Sequence, residues 1–271
     1  MKQLSFAPSK EYSRYLRKEK NKKTLIIIIQ LAILVGFISL WELLARVGAI
    51  DTFITSSPSK IIETIYSIAK TGELGLHITT TLYEALLGFA IATGLGTLIA
   101  ILLWLSETLR RILDPYLVVI NSLPKIALGP LIIIWVGIGT TSIVMMDILI
   151  MIIITTLTML SAFCNTPKSK ITLLRSYGAT KLQILSKLVL PHSIVDFIGV
   201  LKVNVGLTWV GTIMGEYLNS RAGLGYLIVY GSQVFNLNLV MSSTVILCIL
   251  AGIMYFAVAC VEKIIRKKYN T

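Results

Sequence analysis

LIIIIQLAILVGFISLWELL, residues 25–44, is a run of twenty positions with one charged side chain, Glu42. A bilayer hydrocarbon core about 30 Å thick needs about 20 residues of helix, and inside it every backbone N–H and C=O must be bonded within the segment. The run therefore reads as a membrane-spanning helix. It follows the basic stretch KEYSRYLRKEKNKK (10–23), and it is too long, and lacks the small-residue cleavage site, for a removable signal peptide.

Five further apolar segments of similar length follow, at about 82–104, 114–136, 142–164, 193–214 and 239–261. The third is interrupted by Pro124 and Pro130, and the second is rich in small residues, Gly88, Gly94 and Gly96, that permit close helix packing. Of the 271 residues 55% are hydrophobic and 14% charged, against about a quarter charged in soluble domains. The expected fold is an all-α membrane protein with six spans.

The net charge of +12 does not point to nucleic acid, because the basic residues sit at the edges of apolar blocks with few aromatics among them. Topology accounts for it better. Lys22, Lys23, Arg110, Arg111, Lys168, Lys170, Arg175, Lys181, Lys187, Lys263 and Arg266 fall on one side of a six-span arrangement, and only Arg46, Lys60, Lys70 and Arg221 on the other. The positive-inside rule then places both termini in the cytoplasm. Residues 10–23 read either as a basic helix on the anionic inner leaflet or as a partly disordered anchor.

Cys164, Cys248 and Cys260 lack metal-ligand spacing, and His77 and His192 lie far apart, so no metal site is expected. No nucleophile–base constellation and no phosphate-binding G-x-x-x-x-G-K-[ST] loop occur, so no catalytic residues and no cofactor are assigned to this chain.

The loop between the fourth and fifth spans, TPKSKITLLRSYGATKLQILSKLVLP (166–191), is longer than a turn requires. Pro167 can start a helix and Gly178 can stop one; ATKLQILSKLVL then resumes with apolar Leu182, Leu185, Leu188 and Val189, closed by Pro191. This is a helix-turn-helix at the membrane surface, suited to docking in a groove of a soluble partner.

At these residues the sequence resembles the permeases of ATP-binding-cassette importers, whose loop carries an EAA triplet, three residues, Gly, nine residues and I-x-L-P. Thr172, Leu173 and Leu174 take the triplet positions, with Thr172 where the family has Glu. Gly178, followed by Ala179, takes the glycine, and Leu188, Val189, Leu190 and Pro191 the ending. The resemblance implies that this loop is a coupling helix gripped by an ATP-binding subunit. It extends from about residue 58 to 227, through SPSKIIETI, TTLYEALLGFAIATGLGTLIA, DPYLVVINSLPKIALGPLIIIWVGIG and GLTWVGTIMGEYLNSRAGLGYLI. These segments resemble the branch that moves nitrate, sulfonate, taurine and bicarbonate, or thiamine precursors. The implied architecture is a type I importer permease: a basic segment at 1–24, a six-span domain at 25–264 with the coupling loop at 165–191, and a tail at 265–271. The implied partners are two ATP-binding subunits carrying ATP and Mg, a second permease copy, most simply identical, and an extracytoplasmic solute-binding protein.

Charges inside a membrane cost at least about 2.5 kcal/mol each unless paired or hydrated, so they mark function or pairing. Lys125, between two helix-breaking prolines, reads with Asn121 and Ser122 either as an anion-attracting part of the translocation pathway or as an interfacial snorkelling group. Lys202 belongs to the pathway or pairs with Asp147. Asn204 and Thr208 continue the polar character of the fifth span, and Glu216 either gates the outer exit or is a solvated helix-end charge. On the outer side TSSPSKIIETIYSIAKTG (55–72) reads as a helix capped at Ser57, which, with residues 215–238, forms a dock for the binding protein or simply packs on the membrane. The rival reading, a secondary transporter or channel, calls for internal inverted symmetry, which is not evident.

Overall fold

The computed structural model describes residues 10–269. The first nine residues of the expected basic segment, Lys2 among them, and Asn270 and Thr271 of the expected tail lie outside the described residues. Among the described residues there are helices and no strand. The chain divides into two units, Met1–Glu63 and Thr64–Thr271.

In the first unit α1 (Lys10–Arg46) carries the apolar run with its side chains exposed all round, as a helix meant for lipid can. The stretch 10–23, read separately as a surface helix or anchor, is the continuation of this same helix. Its Lys, Arg and Glu are good helix formers, and nothing in the sequence interrupts them. Glu42 near the end of α1 accepts from Arg46 Nε at 2.8 Å, from the Ser59 hydroxyl at 2.6 Å and from the Ser59 amide at 3.1 Å. Asp51 caps the short α2 (Thr52–Thr55) by accepting from the Phe53 amide. As expected, Ser57 precedes α3 (Pro58–Thr71), and its hydroxyl accepts from the Lys60 amide.

The second unit contains α4 (Glu73–Leu105), α5 (Glu107–Ser122), a 3-10 turn (Lys125–Leu128), α6 (Gly129–Val136) and α7 (Thr140–Cys164). There follow α8 (Lys168–Ser176), α9 (Lys181–Ile184), a π turn (Leu185–Val189), α10 (Leu190–His192), α11 (Ile194–Asn219), α12 (Leu224–Gln233) and α13 (Leu237–Tyr269). Five described helices are long and apolar enough to cross a membrane, or six if α5 and α6 make one bent span. The helices overrun the expected segments, α4 by nine residues at its start, because hydropathy marks the bilayer while helix propensity carries on into the polar flanks. The third segment is not a straight span: α5 and α6 meet at 82°. Pro124 forces the preceding Leu123 into an extended conformation, ψ 141°, and α5 ends there.

The centre of this unit is α7, which packs against both α4 and α11, and α11 packs in turn against α12 and α13. Between lipid-embedded helices there is no hydrophobic driving force, so close backbone approach through small residues carries much of the association. Asp147 of α7 lies fully buried between Gly88 of α4 and Gly211 of α11, and a Cβ on either glycine would collide with its carboxyl group. Gly96 meets Thr155 in the same way, and Gly215 lies against the Ile143 backbone. Gly94, read above with Gly88 and Gly96 as a packing residue, faces open space instead, because it is off their helical stripe. Replacing Gly88 or Gly211 with Val is expected to cost about 1–3 kcal/mol by overpacking, read as a lowered Tm in detergent, whereas Gly94→Ala leaves the Tm unchanged.

Candidate functional site

The 165–191 loop has two faces. Ile171, Leu174, Ala179, Ile184, Leu185, Leu188 and Val189 pack on a cluster formed by Ala100 and Leu103 of α4, Leu117 of α5, Met159, Leu160 and Phe163 of α7 and Val200 of α11. The opposite face is apolar yet bare: Leu173 is 54% exposed, Tyr177 80% and Leu182 64%. Of the coupling candidates, Leu174, Ala179 and Leu188 therefore anchor the loop, while Thr172, Leu173, Gly178, Leu190 and Pro191 lie on its exposed side. Tyr177, not named from sequence, and Leu182, named only as an apolar position of the second loop helix, belong with the outward group. Their signal was apolar character at positions that a helix-turn-helix leaves facing away from its own bundle.

The corner of the loop is held locally. Gly178 adopts φ 77°, and the Gly178 and Ala179 amides donate to the carbonyls of Arg175 and Leu174, closing α8. No atom lies within 4 Å of where a Cβ would stand, so glycine is required here by conformation and not by space. Thr180 and Gln183 then form a reciprocal capping box that starts α9. Pro191 does not end the helical run: it sits in the first turn of α10, where its missing N–H is not needed.

At the bend between α5 and α6 the structure brings Asn121, Ser122 and Lys125 together on an open surface. Lys125 Nζ donates to the Asn121 side-chain oxygen at 3.1 Å and to its carbonyl at 3.3 Å, while Ser122 Oγ donates to the Val118 carbonyl. No carboxylate pairs with Lys125 among the described residues.

The remaining pathway candidates are elsewhere. Asn204, fully buried, donates its side-chain amide to Thr93 of α4 and Thr155 of α7, both at 2.9 Å, and Thr208 donates to the Asn204 carbonyl and packs on Met151. Lys202 does not pair with Asp147. It pairs with Glu262 of α13 and lies 5.7 Å from the Tyr255 ring, while Asp147 accepts from Thr212 at 2.9 Å. Lys202 thus faces α13 while Asp147 lies between α4 and α11, which spacing along one helix could not reveal.

Glu216, 1% exposed, is not a solvated end charge. The start of α12 has three amides with no partner in their own helix. Gly223 donates to His77 Nδ1 at 2.9 Å, Leu224 to Thr81 Oγ1 at 2.8 Å and Gly225 to Glu216 Oε2 at 2.5 Å. Side chains of α4 and α11 thus cap α12, with a carboxyl at its positive end. Glu84 of α4 faces Glu216 and accepts from Thr140 of α7 at 2.8 Å. Gly223 has φ 124° and lies so close to the Glu216 carboxyl that no larger residue fits. His77 was read from sequence only as too far from His192 for a metal site, and Glu84 was not named, although an ionisable residue inside the apolar run LYEALLGF was itself a signal.

The family described as binding-protein-dependent transport system inner membrane component matches residues 92–270. A probable ABC transporter permease protein of Haemophilus influenzae is 27% identical over 86% of this chain and 95% of its own. The putative aliphatic sulfonates transport permease protein of Bacillus subtilis is 24% identical over 94% of this chain and 93% of its own. Among solved structures, a chain of the MetNI methionine ABC transporter in an inward-facing conformation superposes with a TM-score of 0.59 at 21% identity, covering 68% of this chain and 94% of that one.

The capping of α12 is directly testable by hydrogen exchange. Glu216→Ala removes the acceptor of a buried amide, a loss of about 1–3 kcal/mol, so exchange at the Leu224–Tyr226 amides is expected to accelerate about 5- to 100-fold. Glu216→Gln keeps an acceptor oxygen and is expected to accelerate it less.

Proposed function

The chain belongs to the family of binding-protein-dependent transport system inner membrane components, the permease subunits of ABC importers, and from that membership we propose that it forms one half of a dimeric pathway importing a small anion of the sulfonate type. The observation that carries the proposal is the two-faced 165–191 loop, bolted to the ends of four helices by one side and presenting Leu173, Tyr177 and Leu182 on the other. An exposed apolar patch rimmed by Lys and Arg is the usual mark of a protein interface. In this reading the loop is cytoplasmic, both termini lie on the same side, and an ATP-binding subunit holding ATP and Mg closes over the bare face.

The mechanism then follows from stiffness. A displacement of the loop by the ATP-binding subunit acts on Phe163 of α7 and Leu103 of α4 together, so it moves the packed α4–α7–α11 block as a body. The bent α5–α6 pair, attached to that block along one side, presents Asn121, Ser122 and Lys125 to the pathway on the other. A second, identical permease copy supplies the opposite wall, and an extracytoplasmic binding protein delivers the solute. Asn204, Thr208, Lys202 and Glu216 act in this proposal by holding helices together.

The anionic character of the solute rests on Lys125 at a helix break, with neutral hydrogen-bond partners and no paired carboxylate among the described residues. It is supported by the sulfonate named for the Bacillus subtilis relative.

Two experiments test this. Tyr177→Ala with Leu173→Ala is expected to leave the permease folded but to reduce co-purification of the ATP-binding subunit and solute uptake together; full retention of both would contradict the coupling role. Lys125→Gln is expected to lower kcat/KM for uptake of an anionic solute about 10- to 100-fold, the worth of one charged hydrogen bond of about 1.5–3 kcal/mol, with ATP-subunit binding unchanged.

A further inference from the structure

A pocket of about 390 Å³ lies between the ends of α4 and α7, the start of α5 and the inner side of the 165–191 loop. That volume is in the range of small-ligand sites. Its lining is electrically one-sided. Arg110, Lys168, Arg175 and Lys181 point to it, against a single carboxylate, Glu107, which is bonded at 2.6 Å by Arg111 from outside the lining. Lys181 Nζ donates to the Leu105 carbonyl at 3.3 Å and Arg110 Nη1 lies 2.9 Å from Cys164 Sγ, while neither Lys168 nor Arg175 has a carboxylate partner among the described residues.

Two features separate this pocket from an ordinary solvated basic surface. Thr166, in its lining, is 2% exposed, and its hydroxyl has no hydrogen-bond partner among the described residues, a cost of about 1–3 kcal/mol unless something in the pocket satisfies it. The start of α8 also opens here with Pro167 in the capping position, so its first-turn amides have no side-chain acceptor. The site offers guanidinium forks, ammonium groups, a hydroxyl and helix N-terminal amides, with almost no acceptor left over. The complementary ligand has several acceptor oxygens and negative charge in a small volume.

We propose that this pocket binds a phosphate ester, either the headgroup of an anionic lipid or a soluble phosphate compound, between the bundle and the coupling loop. The proposal rests on the orientation given above, which puts the pocket on the side of the anionic inner leaflet, where basic interhelical pockets take lipid headgroups. Bound there, the phosphate bridges Arg110 at the start of α5 to Lys168 and Arg175 of α8. It stiffens the junction through which the loop drives the bundle.

Cys164 in the lining is a built-in reporter. In the full chain with its ATP-binding subunits, Cys248→Ser and Cys260→Ser leave Cys164 as the one thiol of the permease to follow by N-ethylmaleimide alkylation. The assembly is placed in nanodiscs of phosphatidylcholine alone, of phosphatidylcholine with phosphatidylglycerol, and of phosphatidylcholine with added inorganic phosphate. A ligand at ten times its Kd leaves about a tenth of the sites open, so alkylation is expected to slow about tenfold. Slowing by phosphatidylglycerol alone identifies a lipid headgroup, and slowing by inorganic phosphate a soluble one. Arg175→Gln and Thr166→Val are each expected to restore the fast rate. Unchanged rates with both anions overturn the proposal, as does slowing that persists in both variants, which is a surface-potential effect. The permease without its ATP-binding subunits, in phosphatidylcholine nanodiscs, gives the reference rate, and equal slowing on adding those subunits without any anion also overturns the proposal, since the partner then fills the pocket. Nanodiscs expose both membrane faces, so these rates are independent of orientation; an impermeant maleimide on sealed right-side-out vesicles tests orientation separately, and reaction of Cys164 there would overturn that reading alone.

Discussion

Three helices meet at one carboxyl group. Asp147 of α7 is pressed between Gly88 of α4 and Gly211 of α11 and accepts a hydrogen bond from Thr212, and its burial is complete. In lipid the apolar surfaces of helices gain nothing by leaving the solvent, so what holds helices is the closeness of their backbones and a few bonds between them. Glycine gives the closeness. The bonds from Asn204 to Thr93 and Thr155 add about 0.6 kcal/mol each, enough to select a register but not to hold the bundle alone.

Both ends of the molecule's working parts are built on this block. At one end the amides that open α12 are accepted by His77, Thr81 and Glu216, which stand on α4 and α11 and are correctly spaced only while those helices are docked. At the other end the 165–191 loop packs on residues of α4, α5, α7 and α11 at once. A push on the loop therefore cannot be absorbed by one helix.

Much of this was legible in the sequence, and the exceptions have physical causes. The order of the long apolar helices was legible because the bilayer imposes a length, five of them being long enough to cross it, or six with α5 and α6 as one bent span, and Pro124 marked the break because it dictates the conformation of Leu123. The loop's turn at Gly178 was legible because only glycine tolerates that φ without strain. Partners of buried polar groups were not legible. Lys202 reaches Glu262, sixty residues along the chain, and Asp147 meets Thr212, because side-chain direction around each helix decides the pairing and spacing along one helix does not. The acceptor roles of Glu84 and His77 were not legible for the same reason: they exist only once α7 and α12 have come to lie beside α4.

The central claim is that the exposed face of the 165–191 loop is the surface on which the ATP-binding subunit acts. Photocrosslinking measures this most directly, with p-benzoylphenylalanine placed at Tyr177 in intact membranes and, in parallel, at Leu76, an exposed position at the end of α4 opposite to the one on which the loop packs. The account predicts an adduct of position 177 with the ATP-binding subunit and none from position 76. Position 177 reacting with lipid or with an extracytoplasmic protein instead would contradict it.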